Sequence, residues 1–163
     1  MKKNLNESFV IAAIHEWNAK KALELQKKYG EQITFIDSKD KLNISYLREI
    51  NPRYIFFPHW SWIVPDEILN EFECVCFHMT DVPFGRGGSP LQNLISRGIR
   101  STKLTALQME GELDAGPVYF KRDLSLEGRA EEIYERASII SFGLIEKMLA
   151  IMKSLRCKKS HII

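Results

Sequence analysis

The sequence predicts an α/β fold: a mostly parallel sheet with helices on both faces, a late pair of strands and a long C-terminal helix. Three observations predict it. Short apolar runs alternate with amphipathic stretches through the first half, as strands covered on both faces and joined by helices do. The connections are short and punctuated by Gly30, Pro52 and Pro65. Beyond residue 100, two strand-like runs follow one another with no helix between them.

Phe9 to Ile14 is the first apolar run, and Asn18 to Tyr29 the first helix, with Ala22, Leu23, Leu25 and Tyr29 on or near one face. Gly30 ends it. Ile33 to Ile36 is the second strand. Leu42 to Ile50 is a helix stopped before Pro52, because the residue before proline avoids helical geometry. Arg53 to Phe57 is a strand, Asp66 to Phe72 a short helix after Pro65, and Cys74 to Phe77 the fourth strand. Ser89 to Arg97 is helical. Thr102 to Met109 and Pro117 to Leu124 form the late strand pair, joined by a loop from Glu110 to Gly116. The final helix, about Ala130 to Ser154, repeats apolar residues at Ile133, Ala137, Ile140, Leu144, Met148 and Ile151 and covers the sheet.

At 163 residues the chain fits one domain over 1–163, with a basic tail from about residue 155. The net charge of +2 is far below that of a dedicated nucleic-acid binder, and the Arg156 to Lys159 cluster reads as a solvated tail. No apolar run approaches a bilayer span, and Met1 to Ser8 is not a secretory signal. Three cysteines suit a reducing cytoplasm, and Cys74 and Cys76 lack the further ligands a zinc site needs. No metal is expected, and no membrane or nucleic-acid partner.

In open α/β sheets, ligands gather beyond the carboxyl ends of the strands. The loops 58–65 and 78–90 leave from those ends. The second reads His78-Met79-Thr80-Asp81-Val82-Pro83-Phe84-Gly85-Arg86-Gly87-Gly88-Ser89-Pro90. His78 stands directly after an apolar strand, on the face of Cys76. A lone histidine is commonly a satisfied structural residue, and one glycine-rich turn matches many things. Gly87 and Gly88 would still let backbone approach a ligand, with Arg86 beside them. Asp114, in Leu113-Asp114-Ala115-Gly116-Pro117, is by itself an ordinary turn aspartate. Together, a histidine and an aspartate can meet at the ligand-binding edge, where a carboxylate orients an imidazole and favours its protonated form.

The ordered set His78-x-Thr80-x-x-Pro83-x-x-Arg86-Gly87-x-x-Pro90, Thr105-x-x-x-Met109 and Leu113-Asp114-x-Gly116-Pro117 resembles the folate-dependent formyltransferases. That family includes methionyl-tRNA, glycinamide-ribonucleotide and sugar-nucleotide formyltransferases. The resemblance runs over roughly residues 54–150; the first fifty residues agree with the family's Rossmann-like start only in pattern. It implies the formyltransferase fold and transfer of a formyl group from 10-formyltetrahydrofolate to a primary amine. It also implies that His78 stabilises the oxyanion and moves protons, with Asp114 orienting it. The folate would lie against Trp60, Trp62, Ile63 and Val64 on one side and Met109, Glu110, Gly111, Glu112 and Leu113 on the other. Arg86, Gly87 and Gly88 would face the amine substrate.

The sequence departs from the family motif Asn-x-His at Cys76, where a thiol is a weak donor. Thr80, Gln92 and Asn93 are alternative donors, and Cys76 itself could act as a nucleophile. Among acceptors, the absence of a further C-terminal domain disfavours tRNA. His15-Glu16-Trp17-Asn18 lacks the glycine turn of the purine enzymes. Residues 58–65 and 78–83 most resemble short sugar-nucleotide members of pseudaminic acid-type pathways. The expected acceptor is therefore a UDP-linked 4-amino-4,6-dideoxy sugar, a small molecule, with room for a homodimer. Formyltetrahydrofolate hydrolysis and a catalytically dead folate-binding homologue are the alternatives.

Overall fold

The structure is a computed structural model and describes residues 7–160. Most of the N-terminal segment read as lacking a secretory signal therefore lies outside the described residues. The strands are β1 (Phe9–Ala12), β2 (Ile33–Ile36), β3 (Tyr54–Phe57), β4 (Cys74–His78), β5 (Ser101–Gln108) and β6 (Val118–Ser125). The helices are α1 (Glu16–Tyr29), α2 (Ile44–Ile50), α3 (Asp66–Glu71), α4 (Pro90–Ser96) and α5 (Ala130–Ser160), with short 3-10 turns at Gly30–Gln32 and Lys39–Lys41.

The six strands form one sheet in the order β2-β1-β3-β4-β5-β6. The first four are parallel; β5 and β6 run antiparallel to their neighbours, with His78 opposite Thr105 and Cys76 opposite Leu107. This is the expected parallel sheet with its late strand pair.

Two cores sandwich the sheet. On one face, Ala22 and Leu25 of α1 and Ile133, Ala137, Ile145 and Met148 of α5 pack over Ile11, Phe56, Val75 and Leu104. On the other, Leu47 of α2 and Ile68 of α3 cover Val10, Ala12, Ile55, Phe57 and Cys74. Neighbouring residues along a strand feed opposite cores, which is why the parallel strands read as unbroken apolar runs.

Local chemistry sets the element ends. Gly30 closes α1 at φ +61°, a backbone region that favours glycine. Asn43 caps α2 by accepting the Tyr46 N–H at 2.9 Å, and Asn51 ends it in the left-handed region before Pro52. Strand β1 stops at Ala12, earlier than the apolar run suggests, because α1 begins at Glu16 and the chain must turn. Helix α5 continues past Ser154 to Ser160, so the backbone of the expected tail is helical there.

Strand β1 lies between β2 and β3. The connections leaving the carboxyl ends of β1 and β3 therefore diverge to opposite faces, opening a crevice of the kind that binds ligands in doubly wound sheets.

Candidate active site

A cleft of about 570 Å³ occupies that crevice, within the range of small-molecule sites. Its walls come from the segment after β3, the end of β4, residues 87–90, the loop between β5 and β6, and one side each of α1 and α5.

His78 lines the cleft at the last position of β4 and is 8% exposed. Its Nε2 lies 2.8 Å from the Gly85 carbonyl, which can only accept, so Nε2 carries a proton. Its Nδ1 faces Asp114 Oδ2 at 3.5 Å. The same carboxylate oxygen accepts the Gly87 N–H at 2.9 Å. Both ring nitrogens thus face acceptors, the Gly85 carbonyl at hydrogen-bond distance and the Asp114 carboxylate at ion-pair distance. The separated histidine and aspartate of the sequence are brought together.

The loop around them is braced by specific contacts. A side chain at Gly85, which has φ +67°, would meet Thr80 Cγ2 at 2.7 Å, so this position requires glycine to offer its carbonyl to His78. Thr105 donates its hydroxyl to the Thr80 carbonyl at 2.7 Å. Lys121 reaches from β6 to Asp81 Oδ1 at 2.5 Å and the Val82 carbonyl at 2.7 Å. At Gly116, an added Cβ would lie 2.0 Å from the Gln108 carbonyl oxygen, which allows the Asp114 loop to close tightly. Asp114 itself sits at φ +52°, a conformation aspartate tolerates better than most residues.

Several site expectations are resolved residue by residue. Cys76 lines the cleft, and burial, with the Asp114 carboxylate second, pushes its thiol up to about 12. A thiol so protonated is a poor nucleophile. Thr80 is fully buried beneath the loop, 3.4 Å from the Gly85 carbonyl, and does not line the cleft, so it is misplaced as an oxyanion donor. Of the two amides, Gln92 lines the cleft; Asn93 instead donates to the Gly88 carbonyl at 3.4 Å. Gly87 and Gly88 are in the wall, whereas Arg86 and Glu112 stand outside it, 3.9 Å from each other.

Trp60, Trp62, Ile63, Val64, Met109, Glu110, Gly111 and Leu113 all line the cleft. Val64 is buried and anchors its segment, while Ile63 is 88% and Leu113 66% exposed. Both Ile63 and Leu113 are large apolar side chains left open at a concave site. The indole N–H of Trp60 is buried with no hydrogen-bond partner, which is uncommon in a native fold. Among the described residues no group of three or more His, Cys, Asp or Glu could hold a metal ion. No helix among them is long and apolar enough to cross a membrane.

Sequence reasoning missed Trp17, Asn18, His59 and Tyr134, which also line the cleft. The first three follow the carboxyl ends of β1 and β3, a position that could have flagged them. Nothing in the α5 pattern distinguishes Tyr134.

No protein-family model matches the chain. A curated methionyl-tRNA formyltransferase of Rickettsia massiliae is 32% identical over 111 residues, 66% of this chain and 37% of the relative. The chain thus spans little more than a third of the length of such relatives. A solved methionyl-tRNA formyltransferase from Clostridium thermocellum is 50% identical, with a TM-score of 0.86, covering 90% of this chain and 66% of that one. HypX from Aquifex aeolicus, solved in complex with tetrahydrofolic acid, shares the fold at 18% identity, with a TM-score of 0.69 over 88% of this chain and 27% of that one. On the strength of the two methionyl-tRNA formyltransferases and of the motifs around His78 and Asp114, the chain belongs to the formyltransferase family.

Proposed function

We propose that the protein is an enzyme that transfers the formyl group of 10-formyltetrahydrofolate to a primary amine in this cleft. The observation that carries the reading is His78, held between the Gly85 carbonyl and the Asp114 carboxylate at the end of β4. The neutral amine attacks the formyl carbon, forming a C–N bond while the carbonyl electrons move to oxygen. Protonated His78 stabilises that oxyanion once its Nε2–H turns from the Gly85 carbonyl to the new oxygen, while Asp114 at Nδ1 keeps the imidazole oriented. When the oxyanion collapses, the bond to N10 of the folate breaks, N10 takes up a proton, and the amine nitrogen gives one up. Acid–base assistance of this kind contributes ~10²–10⁴ in rate. Trp62, Ile63 and Leu113, exposed in the cleft, are the apolar surface for the pterin.

The acceptor we favour is a UDP-linked 4-amino-4,6-dideoxy sugar, in the single catalytic domain of a cytoplasmic enzyme. Its support is the resemblance of residues 58–65 and 78–83 to sugar-nucleotide members; the described cysteines, Cys74 and Cys76, are unpaired, in keeping with a reducing compartment. Methionyl-tRNA is the second reading, favoured by the names of the relatives. Mass spectrometry of each acceptor, incubated with protein and 10-formyltetrahydrofolate, tests both. A formylated sugar nucleotide that requires His78 supports the first reading. Formylation of methionyl-tRNA alone replaces it with the second. Formate release with neither acceptor present identifies a hydrolase.

A further inference from the structure

We propose that Trp17, His59 and Tyr134 form the subsite for the amino-sugar ring of the acceptor, and that the phosphates of its nucleotide stay outside the cleft. The inference rests on the amino-sugar reading and narrows it to the part of the acceptor that the cleft takes.

Four rings from three separate segments close on one another. His15 stacks on Trp17 with centroids 4.6 Å apart and planes 3° from parallel. Trp17 meets Tyr134 at 5.8 Å, Tyr134 meets His59 at 5.1 Å, and His59 returns to His15 at 4.4 Å. Trp17, His59 and Tyr134 line the cleft, while His15 backs Trp17 from behind.

The wall is held rigid by Asn18, which is 1% exposed. Its amide donates to the Pro58 carbonyl at 3.1 Å, and its oxygen accepts the Ser138 hydroxyl at 2.5 Å. One side chain therefore ties α1, the segment after β3, and α5 together. His59 is held at φ +60°, an uncommon conformation for histidine that tends to persist where surrounding structure enforces it.

The charge of the cleft determines what this wall can face. Among the described residues, its carboxylates are Asp66, Glu110 and Asp114, and it contains no lysine or arginine. Burial, with His15 second, pushes the His59 imidazole down to about 4, so it adds no positive charge at neutral pH. A diphosphate inside the cleft would meet three carboxylates with His78, already beside Asp114, as the one cationic group among the described lining residues. An amino-sugar ring, which carries no negative charge, fits: its C–H face packs on the aromatic rings and its hydroxyls reach polar edges. Tyr134 accepts a hydrogen bond from the Gln92 amide at 3.2 Å, leaving its own proton to donate to the ligand. The ring that carries the amine must share the cleft with His78. The base lies beyond the diphosphate and need not enter it.

Ligand-observed NMR on the intact protein tests this with three probes: the methyl glycoside of a 4-amino-4,6-dideoxy-N-acetylhexosamine, UDP, and methioninamide. The glycoside should bind through its ring protons and the other two should not. Trp17→Ala and Tyr134→Ala should each weaken it roughly tenfold, whereas Trp17→Phe, which keeps a ring, should largely retain binding. Circular dichroism on each variant separates lost binding from lost folding. UDP binding as tightly as the glycoside, unchanged affinity in folded Ala variants, absence of glycoside binding, or preference for methioninamide would each overturn the proposal. A glycoside that binds through the three rings, with no acceptor ever formylated, would sink the transferase reading while leaving the subsite standing. Formylation of the sugar nucleotide indifferent to Trp17 and Tyr134 would do the reverse.

Discussion

One oxygen of Asp114 serves two partners: Oδ2 stands 3.5 Å from His78 Nδ1 and accepts the Gly87 N–H at 2.9 Å. The carboxylate therefore faces the imidazole and pins the glycine turn that forms part of the cleft wall. Replacing His78 and replacing Asp114 should consequently have different signatures. His78→Ala should lower formyl transfer ~10²–10⁴-fold and leave folate affinity nearly unchanged. Asp114→Asn keeps an acceptor for Gly87 but loses the charge facing His78. It should lower turnover while preserving the melting temperature. Steady-state assays across pH, with folate binding measured in parallel, check both.

Cys76 lines the same cleft as a thiol pushed up to about 12. It should therefore resist alkylation by iodoacetamide at pH 8, where an ordinary exposed cysteine is partly ionised. Peptide mass spectrometry after timed exposure reads this directly. Cys76→Asn, which supplies a strong donor, should raise turnover by up to ~10²–10³ if the oxyanion lacks one. Unchanged turnover would mean that another group already provides that hydrogen bond.

Two glycines give opposite stability predictions. Gly116→Ala forces a Cβ to within 2.0 Å of the Gln108 carbonyl oxygen and should destabilise the fold by about 1–3 kcal/mol. Gly143, within α5, has nothing within 4 Å of an added Cβ, so Gly143→Ala should stabilise by about 0.4–1 kcal/mol. Denaturant titration of both variants against the parent measures the contrast.

His59 makes stability depend on pH. Burial lowers its folded pKa to about 4 from 6.5, so between those values the unfolded chain binds the extra proton. Its contribution is intact above about pH 6.5 and is lost as pH falls toward 4. Melting temperature should drop across that window, and His59→Asn, which tolerates the positive φ without titrating, should flatten the slope.

The strands and helices were legible because their cause is local. Apolar runs between Gly and Pro punctuation specify buried parallel strands, and the run Phe9 to Ile14 misled only at its end, where the turn into α1 interrupts the strand. His78 and Asp114 were legible because both stand at the loop edge of the sheet. The placement of Thr80 was not. Its hydroxyl is carried beneath the loop by the close approach of Gly85, a three-dimensional contact with no periodic signature. Arg86 and Glu112 likewise fall outside the wall, although their sequence neighbours line it.

By itself the sequence determined the α/β architecture, the edge of the sheet where chemistry gathers, and the motifs that mark the family, since these depend on residue type and spacing. Tertiary structure alone decided which side chains share the cleft. Trp17, His59 and Tyr134 are separated by long stretches of chain and meet only because β1 and β3 are paired neighbours ending at one edge of the sheet and α5 folds back across it. The acidic lining of the cleft has the same origin, because a chain of net charge +2 gives no hint of where its carboxylates converge.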